Sequence, residues 1–189
     1  MDNKENLLTS LQELRKDVAK KQKKGLHFIA ASVFLWMVIS CIHASSIPVT
    51  TKNLCTFCCS ALLVPLAYFI SKFIGMDFQN KDNPLSNLGI LFTINQILYI
   101  LISMWIYAVM PDKFLMVYAM IFGAHLLPYG WLYQSKTYYV ISVIISIAVF
   151  ILGIYCSAII VAVFMIIVEI VFCCCLIIEN KIEAQQEAS

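Results

Sequence analysis

The chain has 189 residues, 61% of them hydrophobic and 13% charged, with a mean hydropathy of +0.86 and a formal net charge of +2. A soluble domain is typically about half apolar and about a quarter charged. This composition therefore excludes a single water-facing core and points to one all-α helical membrane domain.

The chain opens with a polar arm, residues 1–24. Leu7, Leu11, Leu14 and Val18 recur at helical spacing with charged residues between them, which predicts an amphipathic helix over 2–24. Lys20, Lys21, Lys23 and Lys24 then crowd the entry to the first apolar run. Two readings stand side by side: an interfacial helix lying on anionic lipid, or lysines that only set topology. A coiled-coil partner helix is disfavoured, because the apolar stripe covers barely two heptads. The first apolar run lacks a small-residue cleavage site and is long enough to span, so it is expected to be retained as a helix.

A spanning helix needs about 20 mostly apolar residues. In chain order the runs are 27–47, 53–75, 87–110, 113–133, and one long stretch over 137–178 whose single charge is Glu169. As one helix that stretch would be ~63 Å long, about twice the hydrocarbon thickness. It must fold back, and the helix-weakening Gly153–Ser157 segment places the turn there, giving spans over 137–154 and 158–178. The expected fold is thus a bundle of six transmembrane helices over residues 25–178, followed by a tail over 179–189.

The loops are short and punctuated by Pro48, by Asp82-Asn83-Pro84, by Pro111-Asp112 and by Gln134-Ser135-Lys136. With the N-terminus inside, the inner side holds Lys4, Arg15, Lys16, Lys20, Lys21, Lys23, Lys24, Lys72, Lys81, Lys136 and Lys181, and the outer side holds Lys52 and Lys113. That asymmetry predicts cytoplasmic N- and C-termini and a multi-pass protein of the cell membrane.

Depth along the helices singles out a polar layer. Counted from the inner ends, His125, Asn95, Gln96, Glu169 and Ser146 all lie ~12–14 Å deep. A lone glutamate facing lipid at that depth is costly, so it is expected to turn inward to a partner. The sequence therefore predicts that Glu169 and His125 face the bundle interior, with Asn95 or Gln96 completing a network within direct or one-water reach. One reading makes this layer a proton- or ligand-binding site. The other makes it a structural cluster whose bonds contribute about 0.6–2 kcal/mol each.

Pro128 sharpens the point. Lacking an amide proton, it leaves the Ala124 carbonyl without its helical partner and bends the helix beside His125. Pro65 predicts a second kink at a similar level. Tyr129, Trp131, Tyr133, Tyr138 and Tyr139 fit an aromatic belt at the inner interface.

The eight cysteines lie mostly within apolar runs, where a thiol behaves as a small hydrophobe. Cys55 and Cys58 form a Cys-x-x-Cys at the outer end of the second span. They are candidates for a thiol redox pair or, with Cys41, His43 and Cys156, for a soft-metal site, against the plainer reading of packing residues. A thiol oxidase would need a second pair in an outer loop, and there is none. S-acylation is conceivable at Cys173-Cys174-Cys175. Phosphate-binding glycine loops, zinc-hydrolase motifs and nucleophile elbows are missing, which disfavours ordinary hydrolases. No catalytic residue, cofactor or bound metal is expected, and no nucleic-acid partner. The expected partner is the lipid bilayer, and the oligomeric state is left open.

The stretch from His125 to Tyr138, HLLPYGWLYQSKTY, within a six-span layout resembles a family of small bacterial membrane proteins of unknown function. The resemblance implies a bacterial cell-membrane location and no activity. Two function classes follow from the residues: a small transporter or proton- or ligand-responsive protein using Glu169 and His125, or a non-catalytic membrane scaffold. A membrane thiol oxidoreductase is a distant third.

Overall fold

The computed structural model describes residues 2–188, and every element among them is helical. The helices are α1 (Asp2–Lys21), α2 (Leu26–Ala44), α3 (Val49–Ser60), α4 (Leu63–Ile74), α5 (Ser86–Val109), α6 (Phe114–His125), α7 (Leu127–Leu132), α8 (Lys136–Tyr155) and α9 (Ala158–Ala188). An apolar chain of this kind favours helices because each backbone amide is then satisfied within its own segment. The boundaries fall where the sequence weakens that ladder: at Gly25 and Gly75, both with positive φ, at Pro48, at Pro111, and at Cys156-Ser157. α2, α5, α8, α9 and the α6–α7 segment are long and apolar enough to cross a bilayer. Among the described residues the number of such segments is five, or six when the bent pair α3–α4 counts as one.

Two prolines, Pro65 and Pro128, each sit a few residues after a break. Pro65 supplies no amide for the carbonyl of Ala61, and α3 and α4 part at Ala61-Leu62 with a bend of 44°. Pro128 does the same to Ala124, and α6 gives way to α7 at Leu126. At the second break the Ser142 hydroxyl of α8 donates to the Gly123 carbonyl at 2.8 Å, so the loosened backbone is met by a side chain from the neighbouring helix.

The centre of the bundle is built from α2 packed along α9 and α6 packed along α8. Ala31, Trp36, Ala119, Ile145, Val149, Ala162, Met165 and Phe172 are buried there. α6 and α8 approach most closely at two glycines. A Cβ on Gly123 would stand 2.4 Å from Ile145 Cγ2, and one on Gly153 would stand 2.2 Å from Met116 Cγ. Small residues at such points let helix backbones come together where no hydrophobic effect drives them. α3 and α4 lie on α2, and α5 leans on α6 and α7. Only 6% of the apolar stretch of α5 is buried, against 44% for α2 and 39% for α9.

The arm is not a free appendage. Val18 and Ala19 of α1 are buried, and Arg15 donates to the Trp131 carbonyl while its guanidinium stacks on the Trp131 ring at 4.3 Å. Asn83 of the α4–α5 loop donates to the Leu14 carbonyl and to Asp17, and Asn80 also donates to Asp17. Leu11 and Leu14 are half-buried, whereas Leu7 at the start of the stripe and Leu8 beside it are exposed.

Candidate functional site

Glu169 sits midway along α9 and is fully buried. Its Oε2 lies 2.5 Å from the hydroxyl of Ser32 on α2, while Oε1 has no hydrogen-bond partner. The same Ser32 oxygen is 2.7 Å from the carbonyl of Ile29. Tyr138 of α8 and Cys173, one turn along α9, are its titratable neighbours. The expected inward turn of Glu169 is therefore present, but the direct bond to His125, Asn95 or Gln96 is not formed. Its partner comes from the first apolar helix, because α2 rather than α5 or α6 lies closest along α9.

The other members of the predicted layer separate. His125 is half-buried and its Nδ1 donates to the Phe122 carbonyl at 2.5 Å, one turn back. That fixes the tautomer and leaves Nε2 as the nitrogen able to meet a ligand. Its ring touches Phe122 and Tyr129 edge-on. Ser146 donates to the Ser142 carbonyl within its own helix. Gln96 is half-buried, and Asn95, its neighbour, is exposed on the outer side of α5. The depth match placed these groups on one level and did not place them on one side.

What joins His125 and Gln96 is a cavity. A chamber of about 520 Å³ opens between α2, the α3–α4 break, α5 and α6. Ser32, Trp36, Gln96, Tyr118 and Phe122 line it, and Ser60 and Leu63 flank the Pro65 bend. A smaller adjoining space of about 50 Å³ is lined by His125, Tyr129, Tyr133 and Tyr138, and it shares Gln96, Thr93, Leu63, Val64 and Phe122 with the larger one. The Pro65 bend thus shapes one wall of the larger chamber, and the Pro128 break carries His125 to the smaller space. Small-molecule pockets have this character, mostly apolar with a few placed polar groups, and run to about 300–1,000 Å³.

Two aromatic expectations need correcting. Tyr133 and Tyr138 are buried rather than at an interface, and they tie the arm to the bundle: Tyr133 donates to Gln22 Oε1 and Tyr138 donates to the Lys24 carbonyl. Trp131 and Tyr139 stay exposed, as a belt would have them. Lys24, expected among the topology-setting charges, is buried with its ammonium 3.2 Å from Glu179 and 2.5 Å from Glu183. Glu179 also accepts from Ser135 and Thr137, so the end of α9, the α7–α8 turn and the entry to α2 form one polar knot.

Cys55 is half-buried and Cys58 exposed, with Cys58 on the wall of the large cavity. All eight thiols are free. Among the described residues no group of three or more His, Cys, Asp or Glu side chains is arranged to hold a metal. His43 instead pairs with Thr56 at 3.1 Å, joining α2 to α3.

Residues 11–179 match a family of unknown function, DUF7010. The chain belongs to that family. No curated protein and no solved structure matches the chain. For this DUF7010 chain the site has to be read from its own geometry. Sequence reasoning missed one residue of it, Ser32. Ser32 is one serine in an apolar helix, with no signal to raise it above a packing residue. His27, the first residue of the first apolar run, is buried outside the cavity lining with both ring nitrogens unpartnered beside Phe28 and Phe78.

Proposed function

We propose that this is a membrane protein that binds a small, mostly apolar molecule bearing a hydrogen-bond donor, such as an amine, with the binding linked to a proton on Glu169. The observation that carries the reading is the cavity of about 520 Å³ whose wall includes Ser32, the residue bonded to the buried Glu169 carboxyl.

The chemistry of that pair has two states. A hydroxyl has one proton to give. With Glu169 ionised, Ser32 donates to Oε2 and keeps its lone pairs for a donor in the cavity. With Glu169 protonated, the carboxyl donates to Ser32 and the Ser32 proton turns to the Ile29 carbonyl 2.7 Å away. The cavity wall then presents a poorer acceptor. A ligand amine at Ser32 favours the first state, by hydrogen bond and by charge, so ligand and proton oppose each other across one side chain. Gln96 supplies a further polar contact in the chamber, and His125 supplies one in the adjoining space.

The lysine and arginine asymmetry supports a topology with both termini in the cytoplasm, and the likeness of residues 125–138 supports a bacterial cell membrane. The exposed Leu7 and Leu8 beside Lys4 are the part of the arm suited to anionic lipid.

The test is thermal stability of the purified chain in detergent between about pH 5 and pH 9, with a panel of apolar primary amines and the matching hydrocarbons. Amines are expected to raise the melting temperature of the wild type in a pH-dependent manner, more than their hydrocarbons do. In Glu169→Gln the pH dependence of that shift is expected to vanish while the fold persists. If no amine shifts the wild type and Glu169→Gln is only less stable, the Ser32–Glu169 pair is a tie between α2 and α9, and the scaffold reading replaces this one.

A further inference from the structure

α5 carries polar residues on two sides, and the cavity accounts for one of them. Gln96 faces the chamber. Asn95 is exposed, and no hydrogen bond, ion pair or ring contact engages it among the described residues. It lies near the middle of a 24-residue apolar helix, where an amide open to hydrocarbon is unfavourable.

Around Asn95 most of α5 is exposed, Ile90, Ile94, Ile97, Tyr99 and Leu101 included, and one row within that broad face contains Asn95. Leu91, Asn95, Leu98, Ile102, Trp105 and Val109 are separated by four, three, four, three and four residues, and all six are exposed. This is the alternation of a coiled-coil seam sustained from Leu91 to Val109. Phe92, Gln96, Ser103 and Tyr107, which face the protein, lie about 100–160° around α5 from the centre of this row. The seam therefore lies on the outward half of the helix. In such a seam a single asparagine at a core position sets register and oligomeric state.

We propose that α5 is the interface of a homodimer, with the Leu91-to-Val109 seam packing against the same seam of a second copy and Asn95 pairing with its counterpart across the two-fold axis. Two observations select a second copy over lipid or a foreign helix. An asparagine amide both donates and accepts, so it is complementary to itself, and lipid tails offer it nothing. Copies inserted in one orientation are related by an axis along the membrane normal, which brings equal depths together and so places Asn95 opposite Asn95. α5 is also the spanning-length helix with the least surface covered by its own chain, which leaves the seam accessible without unfolding.

The experiment is single-molecule photobleaching of the labelled full-length chain in lipid bilayers over a range of protein-to-lipid ratios. Wild type is compared with Asn95→Leu and with Ile97→Ala, an exposed α5 position off the seam. Wild type is expected to pass from monomer to dimer as its density rises. Asn95→Leu is expected to weaken the dimer by about three- to thirty-fold, the measured range for interhelical hydrogen bonds in membranes. Ile97→Ala is expected to leave it unchanged. Both positions face outward, so melting in detergent should barely change and the monomer fold is controlled. A wild type that stays monomeric at every density overturns the proposal, as does a dimer indifferent to Asn95→Leu or equally weakened by Ile97→Ala.

Discussion

α9 and α5 each carry a polar group halfway along an apolar helix, and the molecule treats the two oppositely. Glu169 of α9 is enclosed on all sides and held by Ser32 of α2, whereas Asn95 of α5 faces outward with nothing from its own chain against it. The difference follows from position in the bundle rather than from the residues. α9 lies against α2, α6 and α8, so a side chain on its inner face meets protein; α5 touches α6 and α7 along one side only. A polar residue in an apolar helix needs a partner, and the architecture decides whether that partner lies within the chain or outside it.

The comparison breaks most sharply where packing alone holds the inner helices. Gly123→Val inserts a branched side chain where Ile145 Cγ2 already stands 2.4 Å from the position of a Cβ. Denaturation in mixed micelles should show a loss of about 3 kcal/mol, the upper part of the usual range for overpacking. A loss near zero would mean that α6 and α8 slide apart freely, and that the enclosed region is no more tightly built than α5.

The next effect tests whether the tie between α2 and α9 matters. Ser32→Ala leaves the Glu169 carboxyl buried with neither oxygen bonded, and the expected cost is about 2 kcal/mol by the same measurement. The double variant Ser32→Ala with Glu169→Leu removes both partners and should recover part of that loss. If the double variant is no more stable than Ser32→Ala, the two side chains act independently and Ser32 is not the partner of Glu169.

These contrasts also show what the chain discloses before folding. Helix ends were legible because their causes are local: a proline without an amide, a glycine with positive φ, a serine at a turn. Position along a helix axis can be counted from the letters as well, since rise per residue is fixed. The side of the helix was not. Asn95 and Gln96 are adjacent and lie about 100° apart around the axis, so one faces the cavity and the other the exterior at the same depth. In helices apolar all round, hydrophobic patterning carries little information about which face turns inward. Ser32 was invisible for the same reason, and Tyr133 and Tyr138 resembled a belt because a buried tyrosine and an interfacial one read alike in sequence. The 3.5-residue seam on α5 was present in the letters, but only exposure separates it from a core stripe.

The smallest expected effect lies at the arm, where the enclosed and open regions meet. Asp17 of α1 accepts from Asn83 and Asn80 and pairs with Lys21 at 3.1 Å. The Asn83 hydrogen bond, aided by Lys21 and Asn80 and partly opposed by burial, holds its carboxyl below the usual value. A carboxyl whose pKa is lower folded than unfolded stabilises the fold at pH values above the unfolded value, about 3.9. That contribution shrinks as pH falls through the folded value and is absent below it, because the protonated form no longer distinguishes the states. The wild type should thus lose arm docking on acidification below about pH 4, read as increased amide exchange in α1. Asp17 is more than one-third exposed, so solvent screening keeps the effect small. Asp17→Asn should lose the acid-dependent increase while α5 and α9 exchange as before. If the increase persists in Asp17→Asn, the arm is held by Arg15 on Trp131 and by the burial of Val18, and the asparagines of the α4–α5 loop only follow it.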